Sequence, residues 1–218
     1  MEADGADEVR KAVRRQMKYG VDQIKLLITG GIAGLREGPG ESQMTFEEMR
    51  AACDAAHNKG LKVSAHAGDP MAIKTAVRAG VDSVEHGYHI DDEVVAMMVE
   101  RGVWFVPTIS VTQDTEFMKR QGWPPHMIER AADTGKEHLR GFRAALAAGV
   151  KMANGADKNP LFETSPKEIE CAVQAGMTTI QALRSSTILA AELCGVVDRT
   201  GSIEEGKQAD LLLLKGNP

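Results

Sequence analysis

His66 and His86 lie twenty residues apart at matching points of a repeated unit, in which a glycine precedes a short apolar run ending in histidine: Gly60, LKVSA, His66, then Gly80, VDSVE, His86. If both runs are strands joined by the helix-like segment between them, they are parallel neighbours with their carboxyl ends on one face. The two imidazoles then meet above the sheet, where they suit Zn²⁺ or a similar divalent cation. Lys25, Thr108 and Asp157 mark the ends of three further apolar runs. A carboxylate such as Asp157 can ligate the cation or take a proton from bound water, whose pKa the ion lowers toward about 7. An ammonium would be repelled there, so Lys25 fits either as an anion formed by CO₂ carboxylation or, with no metal present, as an amine nucleophile. Each residue also has a plainer reading: the histidines as hydrogen-bonded core residues, Asp157 as the cap of a turn before KNP, Thr108 as a strand-end hydrogen bonder. The repeated placement, with Lys25 and Asp157 in register, favours the site.

Alternating helices and strands must position these groups. Residues 6 to 19 put Val9, Val13 and Met17 on one face and stop at Gly20, after which VDQIKLLI runs into TGGIAG. Thr45 and Glu48 form a capping-box pattern for a helix reaching Lys59. Asp69, Pro70 and Gly80 supply the cap, first turn and stop of the helix between the histidines. Asp91, Asp92 and Glu93 load the start of a helix that ends at Gly102, before the strand VWFVPT. Residues 109 to 127 break the rhythm as a polar insertion with Trp123, Pro124 and Pro125, either a lid or a packed excursion. A further helix to Ala148 precedes the strand VKMANGAD; Ser165, Pro166 and Glu168 pattern a second capping box, Thr178 and Gln181 open another helix, and ADLLLL reads as a terminal strand. Gly30 and Gly31 make a tight strand exit, because TGGIAG lacks the lysine and serine of a phosphate loop. Tyr88, just past His86, is either a substrate contact or a surface loop residue.

This grammar predicts an α/β fold with a parallel sheet and functional residues at strand carboxyl ends. Five strands are too few to close an eight-stranded barrel and leave open edges, so the expectation is a fragment able to self-associate through them. With 43% hydrophobic and 26% charged residues in 218, the chain can bury a core, and a net charge of -5 argues against general nucleic-acid binding. No apolar run approaches the roughly 18 residues of a membrane span, and the amino terminus does not resemble a signal peptide, so the expected compartment is cytoplasmic. Cys53, Cys171 and Cys194, odd in number and widely spaced, read as reduced core thiols.

IKLLITGG with Lys25, VSAHAG with His66, VDSVEHG with His86, MANGAD with Asp157, and the tail from AVQAGMTTIQALRSSTILAAELCG to GSIEEGKQADLLLL together resemble the amidohydrolase superfamily, most nearly its imidazolonepropionase-like and Xaa-Pro dipeptidase-like members. The resemblance covers essentially the whole chain. It implies a partial (β/α)8 TIM barrel, strands 4 to 8 with their helices, over residues 1–198, and over residues 199–218 a strand of a small β-sandwich subdomain. It also implies that Lys25 is carboxylated and bridges two metals, that His66 and His86 bind one of them, and that Asp157 binds the other and shuttles the proton. The implied cofactor is Zn²⁺ or another divalent metal, one or two ions. The implied reaction is cleavage of an amide, peptide or lactone-like bond in a small-molecule substrate by metal-activated hydroxide.

Departures from the family pattern keep two rivals open. The His-x-His pair of the family's first strand occurs nowhere in the sequence, and His57, His89, His126 and His138 do not supply it. Gly68 stands where many relatives carry a second polar residue, and Ala156 where a threonine commonly precedes the aspartate. One rival is a non-catalytic half-barrel remnant with an incomplete metal site. The other is a metal-free lyase or aldolase using Lys25 as a Schiff-base amine.

Overall fold

The computed structural model describes residues 2–34, 36–157 and 164–216, residue 164 by its backbone alone. Four strands, β1 (Gln23–Leu27), β2 (Lys62–Ala67), β3 (Ser83–His86) and β4 (Trp104–Val106), form a parallel sheet in chain order. Helix α1 (Ala6–Lys18) precedes β1, and α2 (Phe46–His57), α3 (Pro70–Ala79) and α4 (Asp92–Arg101) make the crossovers. After β4 come α5 (Ser110–Gln113), α6 (Thr115–Arg120), α7 (Pro125–Ala147), α8 (Thr164–Ala175), α9 (Thr179–Ser186) and α10 (Ile188–Cys194).

The helix boundaries follow local chemistry. Thr45 caps α2 in a full capping box with Glu48, whose carboxylate also accepts from Gly5 N at 2.8 Å and so ties the start of α1 to α2. Asp69 accepts from Met71 N and Ala72 N with Pro70 in the first turn of α3, and Asp91 accepts from Val94 N at the start of α4. Thr178 and Gln181 form the predicted capping box of α9.

Register then sets the sheet's two faces. Leu27 pairs with His66 and Ala67 with His86. Ile24, Leu26, Val63, Ala65, Ala67 and Val84 lie buried in one core cluster with Met49, Ile73, Val77, Met98 and Phe142 of the helices. The other face carries Lys25, Ser64, His66, Ser83 and Glu85, as the period of two requires. Its lower part beneath β4 is covered by α10: Trp104, Val106 and Ala153 pack on Leu189, Ala190 and Leu193, and Lys62 Nζ donates to the carbonyls of Glu192 and Leu193.

Several expectations need correction. VKMANGAD forms only one parallel bridge, Phe105 with Met152, because the amide of Asn154 is taken by the Ser185 carbonyl and the chain turns through Asp157 at φ 45°. The predicted capping box at Ser165 is not found among the described residues: α8 already includes Thr164, and the Glu168 carboxyl accepts from the amides of Ile109 and Ser110. ADLLLL is not a strand among the described residues, and Leu211–Leu214 are exposed with no ladder partner. Cys53 and Cys171 are buried free thiols as expected, but Cys194, at the end of a helix whose buried residue is Ala191, is exposed. The insertion is a packed excursion: Ile32, Tyr88, Val111, Met118 and Ala131 form their own cluster, with Trp123, Met127 and Ile128 against it. Among the described residues no helix is long and apolar enough to cross a membrane.

Candidate active site

His86 is the best-fixed member of the site. Strict alternation would send its side chain toward the helices with Ala67, its register partner. Its φ of 68° breaks the alternation and swings the ring toward the strand ends. Thr108 (φ 49°) and Asp157 (φ 45°) are the other non-glycine residues in the left-handed region among the described residues, so backbone strain is concentrated at the strand ends that carry the candidate chemistry. His86 Nδ1 lies 2.7 Å from Thr108 Oγ1, and its ring stacks on Tyr88 with centroids 5.2 Å apart. Tyr88 is therefore a buried ring backing His86 rather than a surface loop residue, and burial pushes its hydroxyl pKa up.

His66 meets His86 edge to face at 4.4 Å between centroids, so the structure brings the two histidines together. Its Nε2 lies 3.1 Å from the Gly30 carbonyl, which can only accept. The predicted strand exit at Gly30 and Gly31 proves to be the wall of this site. A Cβ on Gly31 would lie 2.8 Å from His66 Cε1, so only glycine lets the backbone come so close. Arg130 of α7 clamps the same loop through Nη1 to the carbonyls of Gly31, Ile32, Gly34 and Glu37.

Asp157 Oδ2 stands 3.8 Å from His86 Nε2, which brings the third predicted residue to the pair, although its carboxylate is largely exposed. The alternative role of Asp157 as the cap of KNP lies outside the described residues. Lys25 lies within β1, two residues before its end, opposite Ser64, and is exposed. It forms no hydrogen bond or salt bridge among the described residues, but its charge reaches His66, His86 and Glu85. Burial lowers the pKa of His66, and burial first, then the charges of His66, Lys25 and His138, holds His86 well below the usual imidazole value. Both rings are thus kept neutral, the form that binds metal.

Four groups escaped the sequence reading. Glu85, one residue before His86, shares the face of His66, takes the Ser83 hydroxyl at 2.7 Å, and has its pKa raised by burial; its place in the alternation was a usable signal. Glu168 was hidden by its fit to a capping box, and Arg130 by lying far along the chain from the loop it holds. His138 is fully buried, pairs through Nδ1 with Thr112 Oγ1 at 2.7 Å, and turns an unbonded Nε2 toward the backbone of His86 and Pro107.

The donor set, two neutral imidazoles and a carboxylate, is chemically suited to a divalent cation. The arrangement is open: among the described residues no three His, Cys, Asp or Glu side chains converge closely enough to form a metal cluster.

Comparison with known proteins extends these observations. The amidohydrolase family model matches residues 1–218. Ochratoxinase of Aspergillus niger is 34% identical over 223 residues, covering 99% of this chain and 45% of that protein. Imidazolonepropionase of Sphingopyxis alaskensis is 30% identical over 176 residues, covering 77% of this chain and 38% of its own length. Among solved structures, a Xaa-Pro dipeptidase with methionine bound in its active site superposes with a TM-score of 0.89 at 38% identity, covering 99% of this chain and 54% of that one. A prolidase complexed with N-methylphosphonate-L-proline gives a TM-score of 0.90 at 34% identity, with 99% and 53% covered. The chain spans between 38% and 54% of the length of these relatives. This protein belongs to the amidohydrolase family.

Proposed function

We propose that this chain carries the His–His–Asp part of a metal-dependent hydrolase site in a partial (β/α)8 barrel, acting on the amide bond of a dipeptide-like small molecule, with a lactone-like bond as the related alternative. The observation that carries the proposal is the meeting of His66, His86 and Asp157 at the strand ends of a chain similar over its whole length to a Xaa-Pro dipeptidase and to ochratoxinase. His66, His86, Asp157 and a carboxylated Lys25 would hold the metal, Zn²⁺ or a similar ion, which when bound supplies polarisation of the substrate carbonyl and activation of water. Asp157, exposed and 3.8 Å from His86, is the group able to take a proton from water and pass it to the leaving nitrogen. Tyr88 walls the site behind His86 and is the proposed substrate contact from this loop. Residues 199–218 are read as the contribution to a small β-sandwich subdomain, in keeping with the exposed Leu211–Leu214. Three free thiols suit the reducing cytoplasm.

The test is turnover of the purified chain on Xaa-Pro dipeptides, N-acyl amino acids and lactones, with and without added Zn²⁺. The expected result is metal-stimulated hydrolysis that His66→Ala abolishes. A second reading, a non-catalytic half-barrel, is favoured by the ligand set, open among the described residues, and by the edge of β1, which has no paired strand among them and through which it would self-associate. It predicts no turnover and a concentration-dependent mass in solution. Borohydride trapping of substrate on Lys25 in metal-free protein would instead support the Schiff-base lyase.

A further inference from the structure

The turn after β4 bears on which ring nitrogen of His86 carries the proton. Thr108 Oγ1 has two polar neighbours at the same distance, the Pro107 carbonyl at 2.7 Å and His86 Nδ1 at 2.7 Å. A hydroxyl has one proton to give. Two oxygens 2.7 Å apart repel unless a proton lies between them, and a carbonyl has none, so the hydroxyl proton goes to Pro107. Thr108 can then only accept from the imidazole, and Nδ1 must carry the ring proton. His86 Nε2 is left bare, facing the Asp157 carboxylate across 3.8 Å. That carboxylate favours the opposite tautomer, with the proton on Nε2. The buried 2.7 Å contact outweighs it because Asp157 is exposed and beyond hydrogen-bond distance.

The turn is braced from outside the sheet. Thr108 sits at φ 49°, a costly conformation for a β-branched residue. The next two amides, Ile109 and Ser110, both donate to the fully buried Glu168 carboxyl of α8, at 2.8 Å for Ser110. His66 contrasts with this: its Nε2 faces a carbonyl, so its proton lies on Nε2. The two imidazoles are thereby held in opposite tautomers.

We propose that Thr108 is a positioning residue that fixes His86 as the Nδ1–H tautomer with Nε2 bare toward Asp157, and that Glu168 holds the strained turn from which Thr108 does so. This holds whether or not the hydrolase proposal does, because it concerns the metal-free chain.

Long-range ¹H–¹⁵N correlation spectra of metal-free, ¹⁵N-labelled protein at neutral pH test it, with the His86 signals assigned by their loss in His86→Gln. In wild type, His86 Nδ1 should have the shift of a protonated nitrogen and Nε2 that of a bare one. Thr108→Val keeps the shape and the β-branch and removes only the hydroxyl; it should move the tautomer ratio roughly three- to tenfold toward Nε2–H, the change expected for one buried hydrogen bond. Thr108→Ser should restore the wild-type ratio, which a purely steric role would not explain. Glu168→Gln, able to satisfy only one of the two amides, should give an intermediate ratio. A protonated Nε2 in wild type, or a ratio unmoved by Thr108→Val, overturns the proposal, and the wild-type reading is decisive even if a variant fails to fold. A ratio unmoved by Glu168→Gln removes Glu168 from the relay.

Discussion

The two ends of the sheet are built differently. At β3 and β4 the strand ends are locked: His86 is held by Thr108 and stacked on Tyr88, whose ring His138 meets edge to face, and the turn that follows is pinned by Glu168. The face beneath is covered by α10. Among the described residues the outer edge of β1 has no paired strand and Lys25 has no hydrogen-bond partner, and Leu27, in register with His66, is 62% exposed. A cavity of about 650 Å³ runs beside this edge, between Val9 and Val13 of α1 and Gln23, Lys25 and Leu27 of β1. One half of the site is therefore preorganised by buried contacts, whereas the other has its ligand candidate on an exposed side chain with no hydrogen bond among the described residues. Preorganisation comes from packing around a strand end, and a polar residue at the right place in the sequence does not confer it alone.

Substitutions at the two ends should diverge accordingly. Phe105→Ala in fully buried β4 should lower unfolding free energy by about 3–5 kcal/mol, read from the denaturant midpoint; a loss under about 1 kcal/mol would mean that the β4 end is not the rigid one. The pH dependence tests the same end. Burial holds His138 down to about 4, against 6.5 when exposed, so between those values the unfolded chain binds the extra proton. Stability should fall as pH drops from about 6.5 through about 4, with a slope approaching one proton from this residue, and His66 and His86, also lowered by burial, add in the same direction. His138→Gln should flatten that slope in denaturation curves taken across the window. Gly31→Ala forces a Cβ to within 2.8 Å of the His66 ring and should cost about 1–3 kcal/mol, visible also as a displaced His66 ring signal. Arg130→Ala should cost about 1 kcal/mol, with faster hydrogen exchange confined to the loop before α2. Leu27→Ala and Lys25→Ala, at the open end, should change stability by no more than about 0.5 kcal/mol.

Much of the helical framework was legible because its signals are local. Asp69, Pro70 and Gly80 delimit α3, and Thr45 with Glu48 opens α2, through contacts within a few residues. The same local reasoning failed at Glu168, whose spacing from Ser165 fits a capping box while its carboxyl serves amides 58 and 59 residues away. It failed at VKMANGAD because a strand needs a neighbour for its whole length, and α9 takes the amide of Asn154. It failed at ADLLLL for the related reason that alternation and apolarity do not make a strand without a partner edge.

By itself the sequence determined the alternation of helices and strands through β4 and their parallel pairing, because capping, glycine stops and apolar periodicity act over a few residues. The tertiary structure alone decided which of those residues are held and how: the left-handed turns at His86, Thr108 and Asp157, the close passage of Gly31 over His66, and the neutral state of the buried imidazoles. These depend on groups far apart in the chain being brought within a few ångströms and out of water, a condition that no local pattern encodes.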